Sequence, residues 1–170
     1  MKSIILITLS MLLLLGPTGG CGNKKTPPAS VAIQDIVFLT MDGDLPEQTT
    51  EQLRELKITM EWMDDNLIKI FRKSAFQPQI IKEMSAYKPE MGKLLIVKVE
   101  RFNAGSRAAR AFVGFGAGSA SLDLHYKLLD EKGALLSEWR DGVGSSKGAT
   151  YCAETLNRKA LEKVLELLSH

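Results

Sequence analysis

The chain has 170 residues, with 22 Lys and Arg against 20 Asp and Glu, and therefore carries a formal net charge of +2. This near-neutral balance argues against a nucleic-acid-binding protein, which normally concentrates a basic surplus on one surface. The length suits one domain of ordinary size, whose core needs neither a metal ion nor a disulfide to be stable.

The N-terminal residues follow the layout of an export signal. Lys2 precedes an uncharged run, residues 4–15, which Gly16 and Pro17 end. At about 1.5 Å of helix rise per residue the run spans roughly 18 Å, well short of the ~30 Å hydrocarbon core of a bilayer. We therefore expect residues 1–20 to be a signal peptide that is removed, and not a permanent transmembrane helix.

Cys21 follows two small residues, Gly19 and Gly20, and precedes a polar stretch. This pattern resembles the bacterial lipobox, although Thr18 stands where Leu is usual. The resemblance implies that the Cys21 thiol takes a diacylglyceryl group and that the signal is cleaved just before it. Because Gly22 is not the Asp that commonly signals inner-membrane retention, it also implies an outer-membrane anchor facing the periplasm in a Gram-negative cell. The alternative is an incidental cysteine beside an ordinary signal-peptidase site.

Residues 21–30 are polar, contain two prolines and show no periodicity, so we expect a short tether before a domain at 31–170. Residues 31–39 are rich in β-formers and predict a first strand, ended by a turn at 41–44. Thr49 and Gln52 have the spacing of a capping box, which predicts the start of a long amphipathic helix. Its apolar residues recur at spacings of three and four: Leu53, Leu56, Met60, Met63, Leu67 and Ile70.

The middle of the chain predicts strands. Residues 76–87 are ambiguous, with a proline-broken piece and a short helix as one interpretation, whereas 93–102 read as a strand rich in Leu, Ile and Val. The clearest alternation follows. It places Leu122, Leu124, Tyr126 and Leu128 on one face of a strand, and Ser121, Asp123, His125 and Lys127 on a solvated face.

The C-terminal third predicts a hairpin and a helix. Residues 130–133 supply a turn into an antiparallel partner strand at 135–140, and 150–168 form the last helix. Its inner residues are Cys152, Leu156, Ala160, Val164, Leu167 and Leu168. The pattern predicts an α/β protein of the α+β type, in the order β-α-β-β-β-(β)-α. This is a two-layer sandwich of a mainly antiparallel sheet of four or five strands, with two main helices on one face.

Two glycine-rich segments resemble nucleotide-binding loops without meeting their requirements. Residues 114–118 precede a strand, whereas a dinucleotide fingerprint must open a helix. The loop at 142–150 lies between a strand and a helix, but Lys147 precedes its glycine instead of following it, as a phosphate-binding loop requires. We expect a sheet-edge bend at the first segment, and at the second a flexible loop capped by Thr150.

The residues available for catalysis are few. Asp123 and His125 share one side of a strand, but two ligands are too few for a metal site, and His170 is the only other histidine. If Cys21 carries lipid, Cys152 has no partner in the chain, and we expect it to be a small buried hydrophobe, with a reactive or intermolecular thiol as the alternative. The sequence therefore predicts a protein that is not an enzyme and holds no cofactor.

The segment around 107–115 combines two cations with two aromatic residues: Arg107, Arg110, Phe112 and Phe115. Such a mixture is favoured at protein interfaces, so we consider it a candidate interaction edge. A basic edge that discourages strand pairing is the equally weighted alternative.

Residues 107–118, the turn at 130–133 and residues 152–164 together resemble an uncharacterised bacterial lipoprotein family, domain of unknown function 4410. The resemblance implies no activity and no catalytic residue. We expect a membrane-anchored lipoprotein that faces the periplasm and acts as an interaction or structural module of the cell envelope, with an envelope protein or further copies of itself as partner. A small-molecule or glycan-binding lipoprotein that uses the exposed face at 121–127 is the alternative.

Overall fold

The computed structural model describes residues 33–45, 47–105 and 118–169. Seven helices and strands follow one another in this part of the chain: β1 (Gln34–Asp42), α1 (Thr50–Arg72), β2 (Phe76–Ile81), β3 (Lys93–Asn103), β4 (Ala120–Leu129), β5 (Leu135–Ser145) and α2 (Ala149–Leu168). The predicted α+β architecture is confirmed, and the optional fifth strand of the expected order is present.

The five strands form one open sheet in the order β2-β1-β3-β4-β5. β1 pairs in parallel with both β2 and β3, whereas β3, β4 and β5 pair antiparallel. Parallel neighbours need a long crossover connection, and α1 supplies it between β1 and β2. The sheet is therefore mixed, and its antiparallel half is the half built from the predicted hairpin.

Both helices lie on one face of the sheet and enclose the main core. Phe38 of β1, Phe71 of α1 and Phe76 of β2 form an aromatic cluster, with ring centroids 4.8 Å and 5.2 Å apart. Farther along the sheet, the Tyr126 ring stacks on Trp139 of β5 at 4.9 Å. The predicted apolar row on β4 is fully buried here: Leu122, Leu124, Tyr126 and Leu128. The alternation read from the sequence therefore assigns the inner face of β4 correctly.

A smaller apolar cluster lies on the opposite face, beneath the segment between β2 and β3. It joins Val37 and Leu39 of β1 to Ile81 and Leu94. β1 is consequently covered on both faces, which explains its unbroken apolar run, as is typical of strands with parallel neighbours on either side. Gly92 ends this segment with φ of 98°, and a Cβ there would lie 2.4 Å from the Asp35 carbonyl oxygen, so the close approach requires glycine.

The helix α1 begins as predicted but buries a slightly different stripe. Thr49 and Gln52 form the full capping box. Leu53, however, is half exposed. The buried residues of α1 are Leu56, Thr59, Met63, Asp64, Leu67 and Phe71. Burial therefore continues to Phe71 at the C-terminal end, where the aromatic cluster lies.

One buried amide joins the two helices. The side chain of Asn157 is fully buried on α2, and its Nδ2 donates to the Met63 carbonyl oxygen and to Asn66 Oδ1 of α1, both at 3.0 Å. A buried amide without partners would be costly, so these two bonds favour one alignment of the helices.

Two predicted strand ends were wrong because strand pairing extends the strands. β1 continues to Asp42, into the predicted turn, because Asp42 still pairs with Val99 of β3. The ambiguous segment begins with β2, and single 3-10 turns follow it at Met84–Ala86 and Pro89–Met91. β5 continues to Ser145, so the first residues of the predicted loop at 142–150 belong to the strand.

The predicted cap of the last helix was also wrong. Gly148, with φ of 104°, occupies the N-cap position of α2, and no side chain caps the helix there. Thr150 is instead the second residue of the helix. A positive φ is available to glycine at little cost, so the chain turns sharply out of β5 and directly into α2.

Candidate interaction surface

The strands β3, β4 and β5 carry charged side chains on the face of the sheet that points away from the helices. Its side chains come from neighbouring positions on the three antiparallel strands, so cations and carboxylates alternate across them. We call this set the charged face: Glu100, Arg101, Asp123, His125, Lys127, Glu138 and Arg140.

His125 lies at the centre of the charged face and is only 8% exposed. Its Nε2 lies 2.5 Å from Oε1 of Glu138, and its Nδ1 lies 3.5 Å from Oε1 of Glu100. The hydrogen bond from His125, with the charge of Lys127 as a smaller contribution, holds the pKa of the Glu138 carboxyl below its usual value. The sequence placed His125 on a solvated face, but the two carboxylates cover it.

Ion pairs continue on both sides of this histidine. Arg140 Nε donates to both carboxylate oxygens of Glu100, at 2.9 Å and 3.0 Å, so Glu100 links β3 to β5 above His125. Arg101 Nε lies 3.4 Å from Asp123 Oδ2. Because positive and negative groups alternate and neutralise one another, the charged face presents a polar surface with little net charge of either sign.

The arrangement does not resemble a metal centre. Among the residues that the structure describes, no group of three or more His, Cys, Asp and Glu side chains is placed to hold a metal ion. The two ring nitrogens of His125 point to different carboxylates, so a single ion cannot gather all three groups.

Cys152 is buried on α2, as predicted. Its Sγ lies 3.7 Å from the Ala120 carbonyl oxygen, and its side chain has no solvent exposure. Burial raises the pKa of the thiol, which favours the unreactive protonated form. The structure therefore supports the interpretation of Cys152 as a small core residue.

A groove that the sequence did not indicate lies between the first turns of the two helices. It has a volume of about 760 Å³ and is lined on one side by Arg54 and Glu55 of α1, and on the other by Lys147 and Thr150. Sequence reasoning missed it because the two N-terminal turns meet only in the folded chain. Its lining mixes cations with carboxylates and selects no particular ligand class.

The predicted lipid attachment residue, Cys21, and the predicted interaction edge, Arg107, Arg110, Phe112 and Phe115, lie outside the described residues. Both therefore stay predictions. Within the described part of the chain, neither α1 nor α2 combines the length and apolar character needed to cross a bilayer.

Comparisons with known proteins give a family and a fold. A family model described as "Domain of unknown function (DUF4410)" matches residues 24–149. No curated protein matches the chain.

Among solved structures, a PelC dodecamer from Paraburkholderia phytofirmans is similar with a TM-score of 0.52 at 15% identity, over 80% of this chain and 91% of that chain. A homolog of a neuraminyllactose-binding hemagglutinin from Helicobacter pylori has a TM-score of 0.43 at 7% identity, over 83% and 88% of the two chains. At these identities the PelC likeness shows a shared fold alone, and the hemagglutinin likeness is too weak to support an argument.

Proposed function

The chain belongs to the family described as domain of unknown function DUF4410, and from this membership we propose that it is a membrane-anchored lipoprotein of the cell envelope. In this proposal Cys21 carries the lipid, a short tether follows, and the folded domain faces the periplasm from the outer membrane. The domain acts as a protein-interaction or structural module and not as an enzyme.

One observation carries the interaction role: β5 is a long outer strand whose first residues, Leu135 and Leu136, are 54% and 46% exposed. Exposed apolar residues on an outer strand are a recognised basis for association, because the strand can add a neighbour to the sheet. The PelC chains with this fold are dodecamers, which supports assembly of this chain with other copies. The segment at 107–115 remains the contact surface predicted from sequence.

Ligand binding on the charged face is the weaker candidate. Its carboxylates and cations are already paired with one another, as the contacts of Glu100 with His125 and Arg140 show. A charged or hydroxyl-rich ligand would have to displace these contacts, and we therefore favour a role in protein association.

Membrane fractionation tests the anchor. We expect the wild-type chain to be recovered in the membrane fraction with incorporated palmitate, and the Cys21→Ala chain to lose both, since two or three acyl chains at about 0.8 kcal/mol per buried CH₂ supply the attachment. Cys152→Ala is the matched control and should retain the label. A Cys21→Ala chain that stays membrane-bound until detergent is added would contradict the anchor.

Chemical crosslinking on intact membranes, followed by mass spectrometry, tests the interaction role. We expect crosslinks to an envelope protein or to further copies, and fewer of them when Arg107 and Arg110 are both changed to Ala. Recovery of monomers alone, with no effect of these substitutions, would contradict it.

A further inference from the structure

The sheet ends on one side at β5, a strand of 11 residues. Among the described residues its only strand partner is β4, against which it pairs from Ala120–Ser145 to Leu129–Leu135. Alternate backbone N–H and C=O groups of an outer strand point away from its partner and can pair with another strand. β5 therefore offers a long row of such groups.

The other outer strand is not suited to the same purpose. β2 has six residues, and Pro78 at its middle lacks the N–H that a new partner would need. β5 contains neither proline nor lysine, the two residues that natural proteins commonly place on an edge to prevent pairing. Among the described residues, the sheet is thus protected at the β2 edge and unpaired at the β5 edge.

We propose that β5 pairs antiparallel with β5 of a second copy of this chain, in a register centred on Trp139. This inference rests on the proposed interaction role and names the partner, the strand and the register.

Charge complementarity selects the register. In a two-fold antiparallel pair, directly opposed residues share a face of the sheet. The symmetry axis therefore passes midway between the two copies of one residue, which face each other. With the axis at Trp139, Glu138 lies opposite Arg140 of the second copy, and the same contact occurs twice. With the axis at Glu138, Arg140 or Asp141, that residue would face its own copy, and like charges opposite each other destabilise a strand pair.

The aromatic residue at the centre agrees with this register. Trp139 falls opposite Trp139 of the second copy, on the side of the sheet where it stacks on Tyr126. Aromatic cross-strand pairs of this kind stabilise antiparallel sheets.

The charged face would continue across the junction. Within one copy, Lys127 Nζ lies 3.6 Å from Glu138, and Arg140 binds Glu100. Placing Arg140 of the second copy beside Glu138 extends this alternation of positive and negative side chains from one sheet to the next. The axis is perpendicular to the sheet, so both copies keep their helices on the same side.

Mixing two charge-reversed chains tests the proposal. In Glu138→Arg the opposed residues 138 and 140 are both positive, and in Arg140→Glu they are both negative, so each full-length variant in detergent should self-associate about tenfold more weakly than wild type. An equimolar mixture should restore association, because each Arg then opposes a Glu. Sedimentation of differently labelled chains measures both homodimers and mixed dimers.

The matched control reverses charges away from β5. Glu61→Arg and Lys69→Glu lie on exposed positions of α1, and neither variant, alone or mixed, should change self-association. Each β5 variant also loses contacts inside its own copy, with His125 or Glu100, but mixing cannot repair those contacts. Recovery upon mixing therefore reports the contact between copies.

A second measurement keeps the test decisive if a reversed chain fails to fold. A photo-crosslinking amino acid replaces Ser137, which the proposed register places opposite Asp141 of the second copy. With one copy isotopically labelled, crosslinks between copies should fall within residues 139–143. Crosslinks elsewhere, a wild-type chain that sediments as a monomer, or a mixture that associates no better than its components would each overturn the β5 pairing. Other results would contradict the proposed function. A Cys21→Ala chain that stays membrane-bound would contradict the anchor, and a lack of crosslinks on intact membranes would contradict the interaction role.

Discussion

His125 lies on the face of the sheet away from the helices, yet it is almost completely covered. The cover consists of Glu100 and Glu138, which come from other strands and are 25 and 13 positions away in the chain. When polar side chains cover a polar residue, the sequence shows no apolar pattern at that position. The burial of His125 therefore could not be predicted from the sequence.

The carboxyl of Glu138 should make stability depend on acidity. Its pKa in the folded chain lies below its value in the unfolded chain, so its stabilising effect is complete above the unfolded pKa, near 4.5, and is lost as the pH falls through the folded pKa. The free energy of unfolding of Glu138→Gln should therefore fall less steeply than that of wild type below about pH 4.5.

Urea unfolding at a series of pH values between 7 and 3 measures this dependence. Glu154→Gln, at an exposed position of α2, is the control and should follow the wild-type slope. Identical slopes for wild type and Glu138→Gln would show that the contact with His125 does not persist in solution.

Neighbouring residues in the sequence correctly predict the start of α1 but not the start of α2. The capping box of Thr49 and Gln52 acts within four residues, so its outcome depends little on the rest of the fold. The start of α2 depends on where β5 stops pairing with β4, which is a tertiary property. The chain consequently turns at Gly148, two residues before the threonine that the sequence favoured.

The two threonines therefore differ in their effect on stability. Thr49→Ala should lower the free energy of unfolding by about 1 kcal/mol, because the Gln52 backbone N–H loses its acceptor. Thr150→Ala should change it by less than about 0.5 kcal/mol, since Thr150 is exposed and caps nothing. Chemical denaturation of both variants checks the difference, and equal losses would disprove this assignment of the caps.

At the scale of the whole molecule, α1 and α2 bury a core on one face of a mixed sheet. Cys152 lies within this core. It belongs to one cluster with buried residues of β1, β3 and β4, including Phe38, Val97 and Leu124. A reagent can reach the thiol only when this packing opens. Its reactivity should therefore report opening of the entire domain and not of one loop.

Alkylation of Cys152 checks this expectation in the Cys21→Ala chain, which has no other cysteine. Labelling of the native chain should be at least about 10³-fold slower than labelling of the denatured chain. Thr49→Ala should accelerate it about fivefold, because about 1 kcal/mol changes the unfolded population by that factor. Thr150→Ala serves as the control and should leave the rate unchanged. Rapid labelling of the native chain would mean that α2 opens separately.

Several local features follow directly from the amino-acid sequence: the alternation on β4, the hairpin turn at 130–133, the capping box of α1 and the amphipathic stripes of both helices. Each depends on residues only a few positions apart, and the Asp130 side chain, which accepts from the backbone N–H groups of Lys132 and Ala134, shows how local the turn is.

Folding brings about the parallel placement of β1 between β2 and β3, the covering of His125 by two carboxylates, and the position of β5 at an edge of the described sheet. These features join residues that are distant in the chain, and their stability comes from strand pairing and burial, which are shared among many residues and follow no local pattern. The lipid attachment predicted at Cys21 is of the first kind, since it depends on adjacent residues, whereas the association proposed for β5 is of the second.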